Sequence, residues 1–132
     1  MRDLALIFKA LADETRLKML GLILKHGELC VCDFVKVLEI TQSKASRHLR
    51  YLLHAGLLSD RRDGVWAHYR IADELPHTER AAVLDMVEKL LQARGLDQLE
   101  NSLRQWLREK QRRTESACTL GTDLTDGTGA LS

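Results

Sequence analysis

A chain of 132 residues, 45% hydrophobic and 30% charged, has the size of one compact domain and is too short for a multidomain enzyme. Three cysteines exclude a disulfide scaffold, no apolar run approaches the roughly 18 residues of a membrane span, and Met1 opens no signal-peptide pattern. The expected setting is therefore cytoplasmic, away from any membrane and with reduced thiols, and the formal charge of +1 (20 Lys and Arg, 19 Asp and Glu) names no partner as a total.

In chain order, Leu4, Ile7, Phe8 and Leu11 recur at helical spacing and predict a first amphipathic helix. Asp13 is an N-cap candidate for a second helix, carrying Leu17, Leu20, Ile23 and Leu24 and stopping near Gly27. Val31, Phe34, Val35 and Leu38 give a third, short stripe. Thr41 and Ser43 are cap candidates for a fourth helix, with Ala45, Leu49, Leu52 and Leu53 facing inward and Gly56 as its stop. The period then changes: two strand-like runs, 57–62 and 65–71, flank Asp63-Gly64, a strong hairpin signal. Pro76 and Thr78 open a long helix with Val83, Met86, Val87 and Leu90, ending near Gly95. Leu96, Leu99, Leu103 and Trp106 continue at alternating three- and four-residue steps, the seam of a helix packed on another helix or on its symmetry mate. Residues 114–132, rich in Thr, Gly and Asp, read as a flexible acidic tail that contains Cys118. The expected domain is thus 1–113, mainly α with a β-hairpin wing.

Charge is concentrated in the middle of this chain. Residues 41–70 hold Lys44, Arg47, Arg50, Arg61, Arg62 and Arg70 against Asp60 and Asp63, a local +4, whereas 114–132 hold Glu115, Asp123 and Asp126 and no base, a local −3. Two helices joined by a tight turn and followed by a basic hairpin suit a winged helix-turn-helix. With Ala45, Leu49 and Leu52 inward, Gln42, Ser43, Ser46 and Arg47 occupy the exposed first turns of the recognition helix, where they can meet base edges or phosphates. Lys44, Arg50, Arg61 and Arg62 are candidates to neutralise phosphates. His48 is either a DNA contact or a packing residue beside Leu49, and Trp66 and Tyr69 read as anchors of the wing.

Cys30 and Cys32 stand at the opening of the third helix. Side chains at i and i+2 do not share a helical face, so one soft ion can bind both only where that turn is open. A helix N-terminus favours thiolate, and an ion on both sulfurs pulls on the scaffold beside the recognition helix.

Together, Glu28-Leu29-Cys30-Val31-Cys32-Asp33, Thr41-Gln42-Ser43-Lys44-Ala45-Ser46-Arg47-His48-Leu49 and Asp63-Gly64-Val65-Trp66-Ala67-His68-Tyr69-Arg70 resemble the ArsR/SmtB metalloregulators, in particular their arsenic-responsive branch. Leu11-Ala12-Asp13-Glu14-Thr15-Arg16-Leu17 is similar to the family's entry into its second helix, and the likeness covers roughly residues 3–95. The resemblance implies a homodimeric winged-helix repressor, with five helices around the hairpin and here an additional C-terminal helix. Such a repressor binds a pseudo-palindromic operator when metal-free and releases it when As(III) or Sb(III) binds thiolates. In the best-known arsenic pattern a third cysteine follows the pair by three residues, and Val35 stands there. Cys118 is the remaining candidate ligand, from its own subunit or its partner; a small external thiol or water is the alternative.

A Cd(II), Pb(II) or Zn(II) sensor is the nearest rival, but residues 1–9 hold no cysteine, and His77, Glu79, Asp85 and Glu88 lack the spacing of an interfacial zinc site. A thiol-redox repressor would need an awkward i, i+2 disulfide. No Ser/His/Asp or paired-carboxylate constellation is present, and the helices and single hairpin do not make the scaffold of a dithiol oxidoreductase, so no enzymatic activity is expected.

Overall fold

A computed structural model describes residues 1–73 and 78–120, with side chains described for 1–73 and 79–113. Helix α1 (Arg2–Leu11) meets α2 (Glu14–His26) at Asp13, whose extended backbone and carboxylate, accepting from the Arg16 backbone N–H at 3.0 Å, make it the N-cap. Arg16 reaches back to close the preceding helix: its Nε donates to the Ala10 carbonyl at 2.7 Å and its Nη2 to that of Lys9 at 3.2 Å. The same guanidinium lies 4.2 Å from the centre of the Tyr51 ring, so one side chain links α1, α2 and the recognition helix.

Strand β1 (Leu29–Cys30) runs directly into α3 (Val31–Leu38), and α4 (Gln42–His54) follows after a short turn. Glu39 makes that turn in the left-handed region, φ 55°, and the Thr41 hydroxyl caps α4 by accepting from the Lys44 N–H at 3.1 Å. The wing is β2 (Leu58–Asp63) and β3 (Trp66–Ile71). Its two-residue loop falls one position later than Asp63-Gly64, because Asp63 still pairs with Trp66 and positive φ is confined to Gly64 at 65°, which suits a turn with Gly at its first central position.

The expected hairpin forms, and β1 adds a strand that was not expected, making a three-stranded antiparallel sheet of order β1-β3-β2 with Leu29 opposite Tyr69 and Cys30 opposite His68. Two residues are too short to show a period-two pattern, so β1 is invisible to patterning.

Helices α5 (Thr78–Arg94) and α6 (Asp97–Leu120) are separated at Gly95; Pro76 and His77 lie outside the described residues. A Cβ on Gly21 would stand 2.9 Å from Leu91 and 2.6 Å from Leu96, so this glycine lets α2 approach the α5–α6 junction. The α6 seam holds: Leu103 and Trp106 are buried and Leu99 is partly so. Helix α6 continues through residues 114–120, so the expected boundary at 113/114 falls within it; residues 121–132 lie outside the described part. The core joins Ile7, Leu20, Phe34, Leu49, Leu57 and Val87. Among the described residues no helix is long and apolar enough to cross a membrane.

Candidate thiol site and nucleic-acid interface

Cys30 is both the last residue of β1 and the N-cap of α3, with an extended backbone (φ −86°, ψ 155°), while Cys32 lies within the first helical turn. The i, i+2 obstacle therefore does not arise, because the first thiol is carried by strand and only the second by helix. Both side chains are buried; the Cys32 thiol stands 3.8 Å from Asp33 Oδ1, to which it donates, and also lies in hydrogen-bonding reach of the Cys30 sulfur. The interaction between the two sulfurs is the main reason the Cys30 pKa is lowered to about 7, against the opposing effect of burial. The donor role, burial and the Asp33 carboxylate push the Cys32 thiol strongly upward. Two adjacent, buried sulfurs, one of them with a lowered pKa, are a donor set suited to a soft, thiophilic ion. Among the described residues no group of three His, Cys, Asp or Glu is placed around a metal position. The Cys118 backbone belongs to α6, and its side chain lies outside the described part.

Sequence reasoning missed the group that holds this site in place. Asp33, 2% exposed, is the buried charged side chain among the described residues. Its Oδ2 accepts from the Cys30 backbone N–H at 2.8 Å; its Oδ1 accepts from Trp106 Nε1 at 2.9 Å and Lys110 Nζ at 3.0 Å. Lys110 also donates to Cys32 Sγ at 3.5 Å. Burial works against the Lys110 ammonium, but Asp33 and the thiols outweigh it and raise its pKa. The available signals were Asp33 at the third helical position, where a carboxylate reaches back to the cap N–H, and Lys110 following Trp106 by four residues.

Of the DNA-facing candidates, Gln42, Ser43, Ser46, Arg47 and Arg50 line one open groove on α4. Lys44 is exposed beside them. A smaller cavity of about 100 Å³ is walled by Cys30 and Cys32 on one side and by Gln42, Ser46, Arg62 and Trp66 on others. Thiols, recognition helix and wing thus share one space. Tyr69 is buried in the core, as expected of a wing anchor.

Two candidates are turned to partners within the chain. His48 Nδ1 lies 3.1 Å from Arg16 Nη1 and 4.0 Å from Asp13 Oδ1, its side chain is 14% exposed, and burial lowers its pKa despite the Asp13 carboxylate, so it favours the neutral form. Arg61 is held by Glu28, Nη2 at 2.6 Å and Nε at 3.0 Å, and His68 Nδ1 stands 3.9 Å from the same carboxylate. The hydrogen bond from Arg61 is the main cause lowering the Glu28 pKa.

Residues 13–60 match the family model "Bacterial regulatory protein, arsR family". The chain is 44% identical over 98 residues to the arsenic resistance transcriptional regulator ArsR2 of Pseudomonas putida, a span of 74% of this chain and 82% of that protein. Two curated relatives of higher identity are spanned over 65% and 60% of their length. The structure resembles that of the AntR antimony-specific transcriptional repressor (TM-score 0.55, 33% identity, 66% of this chain and 72% of that one). It also resembles the homodimeric winged helix-turn-helix DNA-binding domain Mb0332 of Mycobacterium bovis (TM-score 0.57, 29% identity, 73% and 83%). With the winged helix-turn-helix architecture in place and most of a relative's length aligned, the chain belongs to the arsR family of bacterial regulatory proteins.

Proposed function

We propose that this chain is a homodimeric repressor that grips operator DNA through α4 and the β2–β3 wing and releases it when As(III) or Sb(III) is held by Cys30 and Cys32. The observation that carries the reading is the shared cavity: the thiol pair faces Gln42 and Ser46 of α4 and Arg62 of the wing. The names of ArsR2 and AntR point to the same inducers. Gln42, Ser43, Ser46, Arg47 and Arg50 supply base and phosphate contacts, with Lys44 and Arg62 adding charge. Phe8 on α1 and Met86 and Leu90 on α5 are large apolar side chains left exposed, and they supply a dimer face. Two-fold symmetry then calls for a pseudo-palindromic operator.

Release follows from the position of Cys30. Drawing its sulfur onto an ion shared with Cys32 moves a residue that is at once the partner of His68 in β3 and the cap of α3. Wing and recognition helix are therefore displaced relative to each other. Cys118 is our candidate third ligand, but it stands eight residues past Lys110, about 12 Å along a regular helix, so ligation within one subunit requires the last turns of α6 to open. Cys118 of the partner subunit is the other source.

The test is operator binding by fluorescence anisotropy in the presence of As(III), Sb(III), Cd(II), Zn(II) or peroxide. Release by As(III) or Sb(III), lost in Cys30→Ser and Cys32→Ser proteins that still bind DNA, is the expected result. Release by peroxide alone overturns the metalloid reading. Linkage adds a second check, since operator DNA must weaken As(III) binding by the same factor.

A further inference from the structure

Among the described residues, the Asp33 carboxylate meets the thiol segment and one face of α6. Cys30 donates its backbone N–H and Cys32 brings its sulfur to 3.8 Å, while Trp106 and Lys110, four residues apart on one helical face, both donate to Oδ1. A buried carboxylate stripped of its donors is strongly destabilising, so Asp33 keeps α6 docked and α6 keeps Asp33 tolerable. The carboxylate is a rigid plane whose Oδ2 is fixed to the backbone of Cys30 and whose Oδ1 is fixed to α6, and a displacement of Cys30 therefore turns the acceptor on which α6 hangs.

We propose that Asp33, Trp106 and Lys110 are positioning residues that form a latch between the thiol pair and α6, and that a soft ion bound by Cys30 and Cys32 opens it. This deepens the proposed metalloid response and rests on it. The sulfur of Cys32 accepts from Lys110 at 3.5 Å; when an ion displaces the thiol proton to solvent and draws the sulfur toward Cys30, that contact is stretched. The backbone shift at Cys30 disturbs the contact to Oδ2 at the same time. Trp106 and Lys110 then donate to the Oδ1 of a carboxylate that Cys30 has turned, which weakens the hold on the polar end of the α6 seam. Helix α6 becomes a second output of ligand binding, separate from the wing.

Trp106 reports on the latch directly. In a full-length Trp66→Phe protein, where it is the sole tryptophan, arsenite is added while alkylation of Cys30 and Cys32 is followed in parallel. Protection of the thiols together with red-shifted, more acrylamide-quenchable Trp106 emission is the expected result. Protected thiols with unchanged Trp106 emission and quenching overturn the latch and leave the metalloid reading standing. Unprotected thiols at saturating arsenite overturn both. Lys110→Met, which keeps the aliphatic stem, is expected to raise the undocked fraction of α6 about tenfold or more before any arsenite is added, because a charge-assisted bond is lost, and Lys110→Arg is expected to restore docking. A Lys110→Met protein with the quenching of its parent, in both the absence and presence of arsenite, also overturns the latch.

Discussion

The guanidinium of Arg61 in β2 clasps the carboxylate of Glu28, at the entrance to β1, with Nη2 at 2.6 Å and Nε at 3.0 Å. The pair bridges two strands that are not neighbours, because β3 lies between them. It also withholds a positive charge from any phosphate near the wing. Glu28→Gln is expected to free that charge and steepen the salt dependence of operator binding, by up to about 0.9 in the slope of log K against log salt for one added phosphate contact. Anisotropy titrations over a range of potassium chloride measure it; an unchanged slope places Arg61 away from the DNA.

The thiol pair sets a pH dependence for reactivity. With the Cys30 pKa lowered to about 7, alkylation of Cys30 in a Cys118→Ser protein should rise with pH and level off just above neutrality. Below that pH the reactive thiolate declines about tenfold per unit, whereas an ordinary thiol would still be gaining reactivity near its usual pKa of about 8.5. Removing the principal donor with Cys32→Ala should move the profile to higher pH. Iodoacetamide rates from pH 5.5 to 9.5 measure both.

The turn between α3 and α4 offers two substitutions of opposite sign. Glu39 occupies the left-handed region at φ 55°, so Glu39→Gly should stabilise the fold by about 0.5–1 kcal/mol. Thr41→Ala removes the hydroxyl that caps α4 and should cost about 1 kcal/mol. Urea unfolding at one fixed protein concentration reads both.

His48 and His26 have pKa values lowered mainly by burial. The unfolded chain therefore binds protons before the folded one does. Their contribution to stability is in place above the ordinary value of 6.5 and is lost as pH falls through that value toward the lower folded pKa. Melting temperature should drop between pH 7.5 and 5.5, and His48→Gln should flatten the drop. A steeper drop in the variant would contradict this.

The helices and the wing were legible because each rests on local signals: Asp13 and Thr41 as caps, Gly64 at the hairpin and the Leu99–Leu103–Trp106 seam. What escaped depends on contacts far apart in the chain. Asp33 meets Trp106 across 73 residues and Lys110 across 77, and Arg61 meets Glu28 across 33. A segmental charge count assigns Arg61 to phosphate because it cannot see that partner, and position on the helix alone leaves His48 open between DNA and packing because Arg16 lies 32 residues upstream. The thiol pair was found from its spacing; the strand that makes its geometry workable was not, since pairing with His68 and Tyr69 is what defines it.

The small cavity beside the cysteines carries a kinetic consequence. Its walls include Gln42, Ser46 and Arg62, the surfaces proposed to rest on the duplex. A seated operator would cap its mouth, and inducer would then enter chiefly through molecules that have stepped off the DNA. The response time would be governed by how long the repressor dwells on its site, and raising the metalloid concentration would speed derepression only up to that ceiling.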